Sequence, residues 1–116
     1  MMGIYKITNL TTQKVYYGSS SHIEDRYEYH FRMGLNWEEK PINNKTVLSQ
    51  LYRDIHLFGK ENFKFEIIEL VNKINELEIR EQYYINNSKE ELYNIDRTIG
   101  KVARGIEASR SKLNEE

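Results

Sequence analysis

Three sets of residues in this chain of 116 depart from what packing alone would write. The stretch from Ile74 to Asn86 has helical periodicity, and its inward stripe should run Ile74, Leu77, Glu81, Tyr84, Ile85. Glu81 falls in the middle of it. A carboxylate taken out of water needs a cation, a donor network or a proton to offset the loss of hydration. Either Glu81 lies at the edge of the stripe and pairs with Lys or Arg, or it binds a hard divalent metal. A single carboxylate completed by waters and a substrate phosphate suits Mg²⁺.

Arg26 and His30 stand four apart beside an apolar stripe of Ile23, Tyr27 and Phe31. That spacing puts them on one helical face. A guanidinium grips phosphate oxygens in pairs, so the two could form a phosphate clamp. They could equally be a snorkelling Arg above a hydrogen-bonded core His. Tyr5 and Tyr16 fall on adjacent expected strands. A phenol titrates near pH 10 and is a poor base at neutrality unless a cation stabilises its phenolate. Cross-strand packing would explain the same two residues. Gly18, just beyond, would let a phosphate or a backbone approach closely.

The elements that must position these groups read as β-β-α-α-β-α. Gly3 to Asn9 alternates and is rich in β-formers, Leu10 to Gln13 is a polar turn, and Lys14 to Ser19 completes a hairpin. Ser21 and Glu24 have capping-box spacing ahead of a helix from about Ile23 to Arg32, expected to stop near Gly34. A polar loop leads to a helix with Val47, Leu48, Leu51, Tyr52, Ile55 and Phe58 on one face, ending at Gly59. Phe63 to Val71 is a third strand and Ile74 to Asn86 a third helix. Tyr93-Asn94-Ile95 returns to the core. The expected fold is α/β (more strictly α+β): a three-stranded antiparallel sheet flanked by helices. Residues 1–100 form the domain and residues 101–116 a polar tail.

Composition sets outer bounds. Seventeen basic and eighteen acidic residues leave a net charge of −1, so any grip on nucleic acid must be local to one face. The absence of cysteine rules out disulfides and thiolate metal sites. No apolar run of membrane length and no signal-peptide pattern appear, and a cytoplasmic protein is expected.

Each signal alone is weak, but their order is specific. Gly3-Ile4-Tyr5, then Val15-Tyr16-Tyr17-Gly18-Ser19, then Arg26 and His30, then Glu81 in Glu81-Gln82-Tyr83-Tyr84-Ile85, then Tyr93-Asn94-Ile95, resembles the GIY-YIG endonuclease family. The likeness spans about residues 3–96. It implies hydrolysis of double-stranded DNA with Mg²⁺ or Mn²⁺ by a stand-alone or excised domain of the phage or mobile-element sort. Such a domain would act in a bacterial or phage-infected cell as a monomer or transient dimer. Glu81 would be the metal ligand and Tyr5 the group receiving a proton from the attacking water. Tyr16 would hold the phosphate or that water, and Arg26 would stabilise charge with His30 in support. Asn94 would help hold the site, while Gly18, Ser19 and Lys45 would meet substrate. Many relatives carry a second His in the loop before the second helix, where this chain has Asn43, Asn44 and Lys45. A rival reading is the same fold kept as a weakly active DNA- or protein-binding module. Another is a coincidental match, which predicts that Tyr5, Tyr16, Arg26 and Glu81 lie scattered in space.

Overall fold

The computed structural model describes residues 1–38, 47–96 and 101–102. Strands β1 (Gly3–Asn9) and β2 (Val15–Ser20) are followed by helices α1 (Ile23–Leu35) and α2 (Val47–Phe58). Strand β3 (Phe63–Leu70) and helix α3 (Leu77–Asn86) come next, then the two-residue strands β4 (Ile95–Asp96) and β5 (Lys101–Val102). The main sheet is antiparallel, with β1 between β2 and β3. The expected three-stranded α+β architecture is present. Among the described residues no helix is long and apolar enough to cross a membrane.

Asn9 makes the hairpin tight. Its fully buried side chain accepts the amides of Thr11 at 2.9 Å and Thr12 at 3.3 Å, while Gln13 takes a positive φ of 68°. Because strand side chains alternate, β1 and β2 serve two cores. Tyr5, Ile7 and Tyr16 pack with Ile23 and Phe31 of α1 and with Leu51, Tyr52 and Ile55 of α2. Val15 and Tyr17 turn the other way, to Ile85 of α3. Helices α1 and α2 touch closely because Gly34 has no side chain: a Cβ there would lie 2.5 Å from Ile55. The helix therefore runs through Gly34 to Leu35 instead of stopping at it. Gly59 does end α2, at φ 91°.

A register shift between Ile4 and Tyr5 marks a β-bulge in the β1–β3 ladder. The extra residue lets neighbours Ile68 and Glu69 both face α3, Ile68 in its apolar cluster and Glu69 on Arg80 and Tyr84. The outer edge of β2 is closed by the segment after α3. Val15 donates to Glu91 and accepts from Tyr93, and the Asn94 amide bonds both Tyr17 backbone groups, at 2.8 and 2.7 Å. One side chain thus replaces a strand.

Two local expectations need correction. The cap of α1 is His22, with no side-chain bond closing the helix; Ser21 bonds the His22 ring, and Glu24 reaches the chain's amino terminus at 2.7 Å. An ammonium offers Glu24 a stronger partner than a backbone amide. The third helix begins with a 3₁₀ turn at Ile74–Glu76, whose tighter winding swings Ile74 out of the inward stripe to 69% exposure. Lys101 and Val102, assigned to a polar tail, pair antiparallel with Asp96 and Ile95.

Candidate functional site

Strand β2 gathers the site by giving successive residues separate tasks. Tyr16 is fully buried, and its ring meets Tyr5 at 6.3 Å and the edge of His30 at 5.6 Å. Tyr17 ties its backbone to Asn94. Gly18 stands opposite Tyr5 in the ladder, and a Cβ there would fall 2.3 Å from Cζ of that ring and 2.4 Å from its hydroxyl. The space where a side chain would stand at Gly18 is filled by the phenol, so this glycine seats Tyr5. Ser19 donates from Oγ to Glu81 Oε1 at 2.6 Å.

The phenol of Tyr5 lies 2.7 Å from His30 Nε2, and Tyr52 lies 2.9 Å from Nδ1 of the same ring. Neutral imidazole has one donor and one acceptor nitrogen, so one tyrosine gives a proton to the ring and the other receives one. His30 is fully buried. Burial holds the Tyr52 phenol well above its ordinary range, with a further rise from Tyr29 that outlasts the opposing pull of Arg26. Burial also works against the charge on Arg26. The hydrogen bond to Tyr5 and the fields of Tyr5, Tyr16 and Tyr52 outweigh it, and the guanidinium is held above its normal value. The Arg26–His30 face thus sets a half-buried guanidinium beside buried phenols and a buried imidazole.

Glu81 is fully buried on α3, with its neighbour Arg80 committed to Glu69. It does not lie at the edge of its stripe. The Tyr5 network and Glu81 sit on opposite faces of the sheet, and a neighbour of each, Arg26 and Ser19, reaches the end of β2. An open cleft of about 620 Å³ there is lined by Ser19, Ser20, Ser21 and Arg26 on one side. Ile74, Leu77 and Glu78 line the other. Asn94 holds the β2 edge and does not line this cleft. Lys45, with Asn43 and Asn44, lies outside the described residues.

A model of the GIY-YIG catalytic domain matches residues 1–94. The chain belongs to the GIY-YIG endonuclease family. Two solved structures resemble it. The catalytic domain of homing endonuclease I-TevI is 29% identical with a TM-score of 0.63, over 83% of this chain and 99% of that one. A glutamate-to-alanine mutant of the catalytic domain of intron endonuclease I-TevI is 27% identical with a TM-score of 0.55, over 73% of this chain and 80% of that one. No curated protein sequence matches significantly.

Within this GIY-YIG nuclease domain, sequence reasoning placed Tyr52 on an inward face but missed its part in the site. A hydroxyl on an otherwise apolar stripe, with a histidine expected across the interface, was the available signal. Ser20, Ser21, Ile74, Leu77 and Glu78 were missed because they meet only through the approach of α3 to the end of β2.

Proposed function

We propose that this chain hydrolyses phosphodiester bonds of double-stranded DNA, one strand per encounter, with Mg²⁺ or Mn²⁺ held by Glu81. What carries the reading is the convergence of Ser19, tied to Glu81, and Arg26, tied to Tyr5, on one open cleft. A buried carboxylate beside a hydroxyl is an all-oxygen donor set, and among the described residues no group of three His, Cys, Asp or Glu could cage a metal. Those donors fit a hard cation that keeps most of its waters. When bound, it supplies positive charge for the phosphate and makes nearby water more acidic.

The protein's own groups then have separable tasks. Arg26 pairs with phosphate oxygens across the cleft. Tyr5 takes a proton from the attacking water as it passes its own to His30 Nε2, and Arg26 steadies the oxygen between the two transfers. Tyr52, kept a neutral phenol by burial, accepts from Nδ1 and fixes the tautomer this needs. Tyr16 braces the imidazole by its ring, and Ser19 aims the carboxylate. The phage or mobile-element setting in a bacterial cell rests on the likeness to a homing endonuclease, and action as a monomer on the single site per chain. Supercoiled plasmid incubated with Mg²⁺, with Mn²⁺ and with EDTA tests the proposal. Relaxed circles should appear with either cation and not with EDTA; no relaxed or linear product under any condition would overturn it.

A further inference from the structure

The cleft at the end of β2 has two unlike walls. Hydroxyls and a guanidinium form one, while Ile74 and Leu77, with the Glu78 carboxylate, form the other. Ile74 is 69% exposed, although periodicity alone would turn it inward. Single exposed apolar residues are common and need no explanation. Here, however, exposed Ile74 shares the wall of a polar cleft with half-buried Leu77, and Ile74 is held there by backbone. Val71 donates to Met2 at 3.0 Å at the start of the loop, and Glu76 donates to Lys73 at 3.0 Å across the turn.

A nucleotide has the same two-sided character. Its phosphate is anionic, and its deoxyribose C–H faces and base edges are largely apolar. Glu78 repels a phosphate from the apolar wall and Arg26 draws it to the other, so charge alone orients the strand across the cleft. On the nuclease reading above, on which this rests, we infer that Ile74 and Leu77 receive the sugar and base edge of the nucleotide adjoining the scissile phosphate. They set affinity and flanking-base preference, and the proton-transfer groups lie elsewhere.

The test pairs Ile74→Ser with Ile79→Ser, whose parent side chain is 66% exposed on α3 but does not line the cleft. Affinity for a labelled DNA duplex is measured by anisotropy without divalent cation, and cleavage of a duplex library randomised beside the cut is measured with Mg²⁺. Ile74→Ser should raise Kd and KM about fivefold to tenfold, keep kcat within about twofold, and flatten flanking-base preference. Its melting midpoint should equal that of wild type, and Ile79→Ser should change none of these. Cleavage with unchanged KM, or a loss confined to kcat, would overturn the apolar wall and leave the nuclease reading standing. Weakened duplex binding by Ile74→Ser in a protein that cuts nothing would keep the wall and remove the nuclease reading. Failure of the wild type both to bind and to cut would remove both.

Discussion

The two faces of the central sheet carry different halves of the candidate site. On the α1–α2 face, Tyr5 and Tyr52 hydrogen-bond to the two ring nitrogens of His30 beneath the ring of Tyr16, and Arg26 lies in the field of these phenols. On the α3 face the buried Glu81 carboxylate accepts from Ser19. The sheet separates this acid from the Tyr5 network, and only Ser19, the partner of Glu81, meets Arg26 in the lining of the cleft at the end of β2. On the proposed function, the groups assigned to proton transfer and the group assigned to a cation could then be tuned separately. The sharpest way to break this comparison is Glu81→Gln, which keeps the shape and the Ser19 bond but removes the charge. Cleavage should fall about a thousandfold or more, since on the proposed function the carboxylate's charge holds the cation that would act on the phosphate. Thermal stability should hold or rise, because burying a charge costs free energy. A variant that melts early yet still cuts would place Glu81 in the fold and not in the site.

Gly18→Ala attacks the joint between the faces. The added methyl would drive into the Tyr5 ring, so the phenol must leave its place against His30 and Arg26. Overpacking of this kind costs about 1–3 kcal/mol. The misplacement should slow cleavage about a hundredfold. Melting and single-turnover rates on the same preparation would separate the two effects, and a variant with unchanged rate would detach Tyr5 from the reaction. Tyr52→Phe is gentler. The ring stays and only the partner of His30 Nδ1 goes, so a loss of about tenfold is expected with a displaced pH–rate profile. An identical profile would make Tyr52 a packing residue.

These contrasts also explain what could be read from the sequence. Strand alternation and helix periodicity respond to burial near each residue, so the order of elements and the inward faces were legible, Tyr5 and Tyr16 included. Glu81 stood out because a charge in an apolar stripe is costly wherever the stripe packs. The two-faced layout was not legible, since it depends on which helix covers which side of β2. Gly18 showed the same limit: a glycine marks a close approach, but only the fold says that the approaching group is Tyr5. Ile74 misled because one 3₁₀ turn at Ile74–Glu76 changes the period just where the helix starts.

The smallest expected effect concerns what holds α3, and Glu81 with it, against the sheet. Glu69 accepts two bonds from Arg80 Nε, at 3.1 and 2.9 Å, and one from Nη2 at 2.9 Å, while Tyr84 donates to it at 2.8 Å. Arg80 first, and Tyr84 after it, hold the Glu69 carboxyl below its ordinary range. A carboxylate depressed in the folded state stabilises at pH values above its unfolded pKa, about 4.3 for Glu. That contribution is lost as pH falls from there through the folded pKa. Wild type should therefore lose more melting temperature between pH 6 and pH 3 than Glu69→Gln does. The difference should be small and should shrink in high salt, because the pair is solvent-accessible and screened. Tyr52→Phe leaves the Glu69–Arg80 clamp intact and should follow the wild-type acid profile. If Glu69→Gln and wild type lose stability in parallel, the clamp does not secure α3, and other contacts, the Ile85 packing and the Ser19 bond among them, hold Glu81 in position.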